Sequence, residues 1–271
     1  MSLKNNKNLF DFDKNRHREE RIDAAIQENG VELPDCVRND VIIIGTDEAG
    51  RGPGAGGVFA SAVCFTSLDK KLIEKLSALN DSKKLSKKVR EELFEVIIKN
   101  SIHSTVCIEV AEIEEINILK ASLKAMKLAC ENVIKQINSS DVILNLFQDL
   151  TSKRPCDPET SSGRRIIQDN ILVLVDGNKL IKQFDCPQEF VIKGDSKSAS
   201  IAAASILAKV SRDRYMQELD AKFPQYNWKN NAGYLTKGHL AAIDEFGITP
   251  IHRKTFLRKH FERSKQLELT L

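Results

Sequence analysis

The chain has 271 residues, of which 41% are hydrophobic and 29% carry a charged side chain. These proportions predict a soluble globular protein with one large domain, or one domain with an appendage. The net charge of only +3 excludes a molecule that attracts nucleic acid over its whole surface, so any basic surface must be local.

No segment approaches the roughly 18 consecutive apolar residues of a membrane span, so we expect no membrane contact. The six cysteines include no C-x-x-C pair, which argues against a cysteine metal or redox site and favours the reducing cytoplasm. Residues 1–40 carry dense charge of both signs and predict a partly ordered N-terminal extension.

The folded part of the chain begins with residues 41–46, an apolar and β-branched run that favours a buried strand. Asp47 and Glu48 follow it directly. Alternation along a strand would send these two side chains to opposite faces, so we expect the strand to end before them and both to reach one site. A Gly-Arg-Gly turn at residues 50–52 follows, and glycines let the backbone and an arginine approach a phosphate closely.

The glycines of residues 52–57 formally match the G-x-G-x-x-G fingerprint of dinucleotide-binding proteins. That fingerprint must open a helix, whereas here it leads into the strand-like residues 58–65, so a glycine-rich hairpin is predicted instead. Five Lys/Arg lie between Lys83 and Arg90, around Ser86, which can cap a helix. Positive charge at a helix N-terminus opposes the helix dipole, so both an anionic partner and a plain solvated helix start fit this segment.

The middle of the chain predicts a strand over residues 103–110 and a long amphipathic helix over residues 113–137. Residues 139–165 break the pattern with prolines and a Ser/Thr-rich tract. We interpret them as a surface insertion without chemistry, because this length is unusual for a connection inside a compact domain. Two further apolar strands are predicted over residues 170–175 and 190–193.

The C-terminal part predicts helices. Ser198 or Ser200 can begin a helix over residues 201–210, whose many small side chains let it lie close against the sheet. Helices over residues 212–223 and 236–246 and a basic tail complete the chain.

Three of the most apolar strands are followed by carboxylates: Asp47 with Glu48, then Asp176, then Asp195. A strand-end aspartate alone is ordinary turn chemistry, but three such ends suggest one acidic pocket in which the carboxylates raise one another's pKa. Divalent cations remove that repulsion. No Cys or His accompanies these residues, so Mg²⁺ or Mn²⁺ is favoured over zinc, and an all-carboxylate site suits two-metal phosphodiester hydrolysis.

Short motifs follow one another along residues 41–256: Gly45 to Pro53, Asp81 to Ser86, Asp176-Gly177-Asn178, Lys193-Gly194-Asp195 with Ser200 to Lys209, Arg212-Asp213, Gly233-Tyr234 with Thr236 to Leu240, and Pro250-x-His252-Arg253. Their order and spacing resemble those of ribonuclease HII, the type 2 ribonuclease H family. The resemblance implies an α/β fold, a ribonuclease H-like mixed sheet flanked by helices with a helical C-terminal extension. It implies a catalytic domain over residues 41–215 and a helical region over residues 216–271 that contributes to substrate binding.

The resemblance also implies a metal-dependent endonuclease that hydrolyses the RNA strand of RNA–DNA hybrids and leaves 5′-phosphates. It would nick 5′ of single ribonucleotides in duplex DNA and so remove misincorporated ribonucleotides. By motif position, two Mg²⁺ or Mn²⁺ ions would be bound by the catalytic residues Asp47, Glu48, Asp176 and Asp195, and the substrate by Gly50, Arg51, Gly52, Tyr234 and Lys83. We expect a monomer, and residues 266–271 of the tail are a candidate for contact with a replication clamp.

The chain departs from the family in its Lys-Gly-Tyr-Gly-Thr motif, with Ala232 and Leu235 in place of the lysine and the second glycine, and Gly57 stands where proline is common. The missing lysine is expected to weaken a phosphate contact, and Leu235 to stiffen the loop that carries Tyr234. We expect His239 and His252 to be hydrogen-bonded structure rather than catalytic bases. Two alternatives stay open: a hybrid-binding module without catalysis, and another two-metal enzyme such as a proofreading exonuclease, which would require a free 3′ end.

Overall fold

The computed structural model describes Leu9, Phe12, Asp13 and residues 41–65, 70–76, 79, 85–139 and 171–268. Most of the predicted N-terminal extension, the insertion beyond residue 139, Lys83 and the last three residues of the tail lie outside this part of the chain. Within it, no helix has the length and apolar character that a membrane crossing needs. The four cysteines it includes, Cys64, Cys107, Cys130 and Cys186, are free thiols.

The centre of the fold is a mixed sheet of five strands in the order β3-β2-β1-β4-β5. The strands are β1 Ile42–Ala49, β2 Val58–Phe65, β3 Ser101–Ile108, β4 Ile171–Asp176 and β5 Gln188–Val191. β1 pairs antiparallel with β2 and parallel with β4, while β2–β3 is antiparallel and β4–β5 parallel. The mixed sheet predicted from the sequence is therefore confirmed.

Helices cover both faces of the sheet and form the C-terminal part. They are α1 Lys70–Lys75, α2 Lys87–Lys99, α3 Val110–Ile116, α4 Ile118–Ser139, α5 Ala199–Lys222, α6 Trp228–Asn231, α7 Lys237–Phe246 and α8 Lys254–Glu268. On one face, Ile44 and Val173 pack with Met126 of α4. On the other face, Val63 packs with α1, α2 and α5. A third apolar cluster joins the end of α5 to α6, α7 and α8, around Trp228.

The close approach of α5 to β1 depends on Gly45. A Cβ atom added to this glycine would lie 2.2 Å from the backbone carbon of Ser200 and 2.3 Å from the backbone nitrogen of Ile201. The alanines in the first turns of α5 are fully buried, so small side chains let the helix rest on the middle strand. This contact puts the next turns of α5 beside the end of β1.

The strand predictions differ from the structure mainly at their ends. β1 does not end before Asp47, because its pairing with β2 continues to Ala49 opposite Phe59, whereas its pairing with β4 stops at Thr46 opposite Val175. β2 has the predicted bounds, and β3 and β5 each begin and end two residues earlier than predicted. The glycine-rich segment leads from β1 into the antiparallel β2, so the rejection of a dinucleotide-binding helix is confirmed.

Two helix predictions are wrong in their extent. The helix predicted over residues 113–137 is divided between α3 and α4 at Asn117, whose backbone φ is 72°. The side chain of Asn117 accepts a hydrogen bond from the N–H of Lys120 at 3.1 Å. Asparagine tolerates positive φ and caps helices, but the continuous apolar spacing of this segment hides that local signal.

The helices predicted on either side of residue 211 form one helix, α5, whose first turn is capped by the side chain of Ser198. Neither glycine nor proline interrupts it. The predicted boundary after residue 215, between the catalytic domain and the C-terminal region, falls inside α5, and the division into these regions stays a prediction.

Gly45→Ala should destabilise the protein by about 3 kcal/mol or more, because the new methyl group meets backbone atoms of α5 that cannot rotate away. The measurement is the free energy of unfolding in urea. Gly238→Ala is the matched control: a Cβ there meets no atom within 4 Å, and alanine favours a helix over glycine by about 1 kcal/mol. Equal stability of the two variants would contradict the proposed contact.

Candidate active site

A cavity of about 280 Å³ lies where β1 and β4 finish, and we call it the carboxylate cavity. Its walls are formed by Asp47, Glu48, Ala49, Gly50, Arg51, Gly52, Asp176, Asp195, Ser205, Lys209, Arg212 and Tyr234. The structure therefore brings together the four carboxylates that the sequence singled out, along with every candidate substrate residue except Lys83. Lys83 lies outside the described residues.

The parallel pairing of β1 with β4 brings Asp47 and Asp176 to the same place. The last registered pair is Thr46 opposite Val175, and each strand continues with its aspartate. Glu48 lines the same cavity although it lies inside β1. The expectation that both neighbours reach one site is thus met without the loss of strand structure that we predicted.

Asp195 comes from a 3₁₀ turn, Gly194–Ser196, that follows β5. The N–H of Gly194 donates a hydrogen bond to Oδ1 of Asp176 at 2.7 Å. A Cβ atom on Gly194 would lie 3.1 Å from that oxygen and 2.5 Å from Cδ1 of Ile201. Glycine at this position therefore lets the turn that carries Asp195 sit directly against Asp176.

The carboxylate of Asp47 is buried, with 6% of the residue exposed. Burial raises its pKa well above the usual 3.8, and the charges of Glu48 and Asp176 raise the pKa further. Hydrogen bonds from the Ser205 hydroxyl and from the N–H of Glu48, the latter 2.7 Å long, oppose this rise. The charged form of Asp47 is therefore costly, and that cost falls when positive charge enters the cavity.

All four carboxylates offer hard oxygen donors, which suit Mg²⁺ or Mn²⁺, and a cation would relieve the repulsion at Asp47. Among the described residues, however, no three His, Cys, Asp or Glu side chains are gathered as a ready-made metal site. Protein groups already contact these carboxylates: Nη1 of Arg51 lies 3.1 Å from Oε1 of Glu48, the N–H of Gly194 donates to Asp176, and the N–H of Glu48 donates to Asp47. The donor chemistry fits divalent ions, and the role of each carboxylate as a ligand stays a prediction.

Two buried arginines hold the glycine loop, which we define as residues 50–57. Arg212 and Arg253 are 2% and 0% exposed. Arg212 donates to the carbonyls of Ala55, Gly57 and Ala232, and Arg253 donates to those of Gly50, Arg51, Pro53 and Gly56. Burial lowers the pKa of both side chains, to about 10 for Arg253, so Arg253 stays charged at neutral pH.

This arrangement orients the backbone amides of the glycine loop. The C=O and N–H of a trans peptide point in opposite directions, and the structure contains no cis peptide among its described residues. Because Arg253 binds the carbonyls of Gly50 and Arg51, the N–H groups of Arg51 and Gly52 point away from Arg253. Neither N–H donates to another described residue, and both residues line the carboxylate cavity. These amides can therefore donate to a ligand oxygen.

Tyr234 stands at the rim of the cavity with 53% of its surface exposed. A Cβ atom on Gly52 would lie 3.3 Å from Cε1 of its ring, so the ring lies against the glycine loop. The next residue, Leu235, packs on the same loop, because a Cβ atom on Gly54 would lie 2.6 Å from Cδ2 of Leu235. This contact gives a physical reason for the expected stiffening by Leu235.

Two histidines support Tyr234 from behind. Nδ1 of His239 lies 2.9 Å from the carbonyl of Tyr234, and its Nε2 accepts from the indole N–H of Trp228 at 3.0 Å. His252 accepts the N–H of Thr249 on Nδ1 at 2.9 Å and faces Nε2 of His239 at 3.1 Å. These partners fix one neutral tautomer for each ring, with the proton on Nδ1 of His239 and on Nε2 of His252. Their expected role as hydrogen-bonded structure is confirmed.

Sequence reasoning gave no role to Ser205, Lys209 and Arg212, which also line the carboxylate cavity. Their spacing of four and three residues places them on one face of α5. That spacing of polar side chains within an alanine-rich helix was the available signal. Lys209 adds a positive charge to the cavity and forms an ion pair with Asp213 at 2.7 Å.

His252→Gln should destabilise the protein at about pH 7, because the partly buried N–H of Thr249 loses its acceptor. Burial and the neighbouring His239 lower the pKa of His252 from 6.5 to about 4. Between pH 4 and pH 6.5 the unfolded chain therefore binds more protons than the folded protein. The stability that neutral His252 contributes is complete above pH 6.5 and is lost as the pH falls towards 4. The gap between the unfolding free energies of wild type and variant should narrow from about pH 7 to about pH 5. A constant gap, or the same narrowing for the control His103→Gln on β3, would contradict this account.

Comparisons with known proteins identify the family. The sequence model of Ribonuclease HII matches residues 44–264. Ribonuclease HII of Rickettsia canadensis is 46% identical over 219 residues, 80% of this chain and 90% of that protein. Ribonuclease HII of Pelagibacter ubique is 46% identical over 216 residues, 79% of this chain and 95% of that protein. The crystal structure of ribonuclease H2 from Pyrococcus horikoshii OT3 is 25% identical and matches 82% of this chain and 98% of that chain with a TM-score of 0.55. The chain therefore belongs to the ribonuclease HII family and is a ribonuclease H enzyme.

Proposed function

We propose that this enzyme hydrolyses the RNA strand of RNA–DNA hybrids and nicks duplex DNA on the 5′ side of a single embedded ribonucleotide. The cellular result is the removal of misincorporated ribonucleotides. The observation that carries the proposal is the convergence of four carboxylates on one cavity whose rim presents Arg51 and Tyr234. Membership of the ribonuclease HII family supports it. All of these residues come from one chain, so the proposal needs no second copy of the protein.

The carboxylates Asp47, Glu48, Asp176 and Asp195 would hold two divalent ions, Mg²⁺ or Mn²⁺. When bound, such ions lower the pKa of the attacking water and stabilise the leaving oxygen. The protein's own contribution is a rigid frame for the ligands. β1 and the Ser205 hydroxyl position Asp47, and the N–H of Gly194 positions Asp176.

The glycine loop would recognise the ribonucleotide without reading its base. The N–H groups of Arg51 and Gly52 would donate to the 2′-OH and the flanking phosphate, since the 2′-OH is what separates RNA from DNA at one nucleotide. The guanidinium of Arg51 is half-exposed and sits on Glu48 at 3.1 Å, at the edge where a phosphate would enter. Tyr234 would pack on the sugar.

The central test is a nicking assay with the purified 271-residue chain. The substrates are a duplex DNA with one ribonucleotide, the same duplex without it, and a long RNA–DNA hybrid. We expect 5′-phosphate products from the first and third substrates when Mg²⁺ or Mn²⁺ is present, and none from the second. Binding without cleavage in both metals would support a non-catalytic module. A requirement for a free 3′ end would support an exonuclease.

Asp47→Asn should lower the cleavage rate by at least about a thousandfold, because several kcal/mol of transition-state stabilisation depend on the bound ions. The same change replaces a carboxyl group whose charged form is disfavoured by burial and by two neighbouring carboxylates. The melting temperature of the metal-free variant should therefore equal or exceed that of wild type. Added Mn²⁺ should raise the melting temperature of wild type more than that of the variant. An active Asp47→Asn enzyme would overturn the proposed site.

Tyr234→Ala should reduce nicking at a single ribonucleotide by about tenfold, since stacking on an aromatic ring contributes about 1–3 kcal/mol. Binding of a long hybrid, which offers many further contacts, should change much less. The measurement compares kcat/KM on the single-ribonucleotide duplex with the affinity for the hybrid. Phe246→Ala is the matched control, because Phe246 is a similarly exposed aromatic residue, at 54%, outside the cavity. Equal loss for both substrates would show that the role of Tyr234 is misplaced.

A further inference from the structure

A second cavity of about 210 Å³ lies between α2, α5 and α6, and we call it the basic cavity. Its walls are formed by Lys87, Arg90, Lys209, Asp213, Met216, Gln217, Trp228, Lys229, Asn230 and Ala232. Four of these side chains are basic and one is acidic. Local positive charge of this kind stands out in a chain whose net charge is only +3.

The basic cavity adjoins the carboxylate cavity, because Lys209 lines both. The single acid, Asp213, is already engaged: it accepts from Lys209 at 2.7 Å and lies 3.8 Å from Arg90. The other two lysines point to solvent. Lys229 is 60% exposed and 3.6 Å from Asp220, and Lys87 forms no ion pair with a described residue. The cavity thus keeps a surplus of positive charge that reaches solvent.

The backbone adds to this charge. Lys87 opens α2, whose N-cap Ser86 accepts from the N–H of Val89 and whose first turn has no acidic residue. The N-terminus of a helix carries partial positive charge, so lysine in this position is unfavourable without an anion nearby. Two residues of the basic segment, Lys87 and Arg90, therefore line a basic cavity next to the proposed active site. The sequence of that segment fitted either an anionic partner or a solvated helix start.

We propose that the basic cavity binds a backbone phosphate of the nucleic acid substrate, away from the bond that is cleaved. This inference rests on the proposed function and adds a second contact that sets the position of the duplex on the enzyme. Because Lys209 lines both cavities, a duplex bound at the carboxylate cavity can place one of its own phosphates in the basic cavity. This favours a substrate phosphate over a free anion. Lysine suits this task because it contacts phosphate as a point charge and reads no sequence.

The test is the double variant Lys87→Gln/Lys229→Gln, measured in steady-state cleavage of the single-ribonucleotide duplex and in the salt dependence of duplex binding. Lys99→Gln/Lys222→Gln is the matched control: it removes the same charge from exposed lysines of α2 and α5 outside both cavities. We expect a severalfold higher KM, unchanged kcat, and a slope of log K against log salt that is smaller by about one unit. The control should match wild type.

A length series separates a substrate phosphate from a free anion. Duplexes shortened one base pair at a time should show a step in wild-type affinity where the phosphate for the basic cavity is lost, and the double variant should lack that step. Identical KM, salt slope and length profile in the double variant and the control would refute the proposal, even if wild type nicks its substrate. Failure of wild type to nick would refute the proposed function instead.

If melting shows that the double variant is unfolded, the single variant Lys87→Gln replaces it in the same measurements, because Lys87 has no ion-pair partner among the described residues.

Discussion

The structure depends on the capture of backbone carbonyls by two buried arginines. Arg212 and Arg253 together bind the carbonyls of Gly50, Arg51, Pro53, Ala55, Gly56 and Gly57. A buried guanidinium is costly unless its donors are satisfied, and here carbonyl dipoles satisfy them. Hydrogen bonds to a charged group are worth about 1.5–3 kcal/mol each. The hydrogen bonds to Arg212 and Arg253 therefore fix the conformation of the glycine loop, which is not a flexible connection.

This contact explains why the C-terminal region belongs to the proposed active site. Arg253 immediately precedes α8, and its own N–H donates to the carbonyl of Gly54 at 2.8 Å. The N–H groups of Gly54 and Ala55 donate to Gly233, the neighbour of Tyr234. The loop that presents amides to the cavity and the tyrosine at its rim are thus parts of one hydrogen-bonded unit. A change in the C-terminal helices would therefore move the glycine loop and Tyr234 together.

The sequence predicted the carboxylates of the site but not the arginine contacts that hold the glycine loop. Asp47, Asp176 and Asp195 follow apolar runs, and parallel pairing of neighbouring strands then brings two of them together without further information. The arginine contacts could not be predicted in this way, because their partners are backbone carbonyls, which have no residue signature. A buried arginine also looks like a surface arginine in a sequence. The break at Asn117 and the continuation of β1 through Glu48 depend on local capping and on the reach of β2, which apolar periodicity does not record.

The depth of each positive charge decides what it can do. Arg212 lines the carboxylate cavity, and each of its three nitrogens donates to a backbone carbonyl, so its charge acts on the cavity from a fixed position. Arg51 is half-exposed and forms an ion pair with Glu48, and a phosphate can replace this partner. Lys87 and Lys229 are exposed. Lys87 can exchange water for an anion at little structural cost, whereas Lys229 also forms an ion pair with Asp220 at 3.6 Å. A protein of small net charge can in this way bind the phosphate backbone of a nucleic acid along one part of its surface. The buried charges hold the site in shape, and the exposed charges bind the substrate.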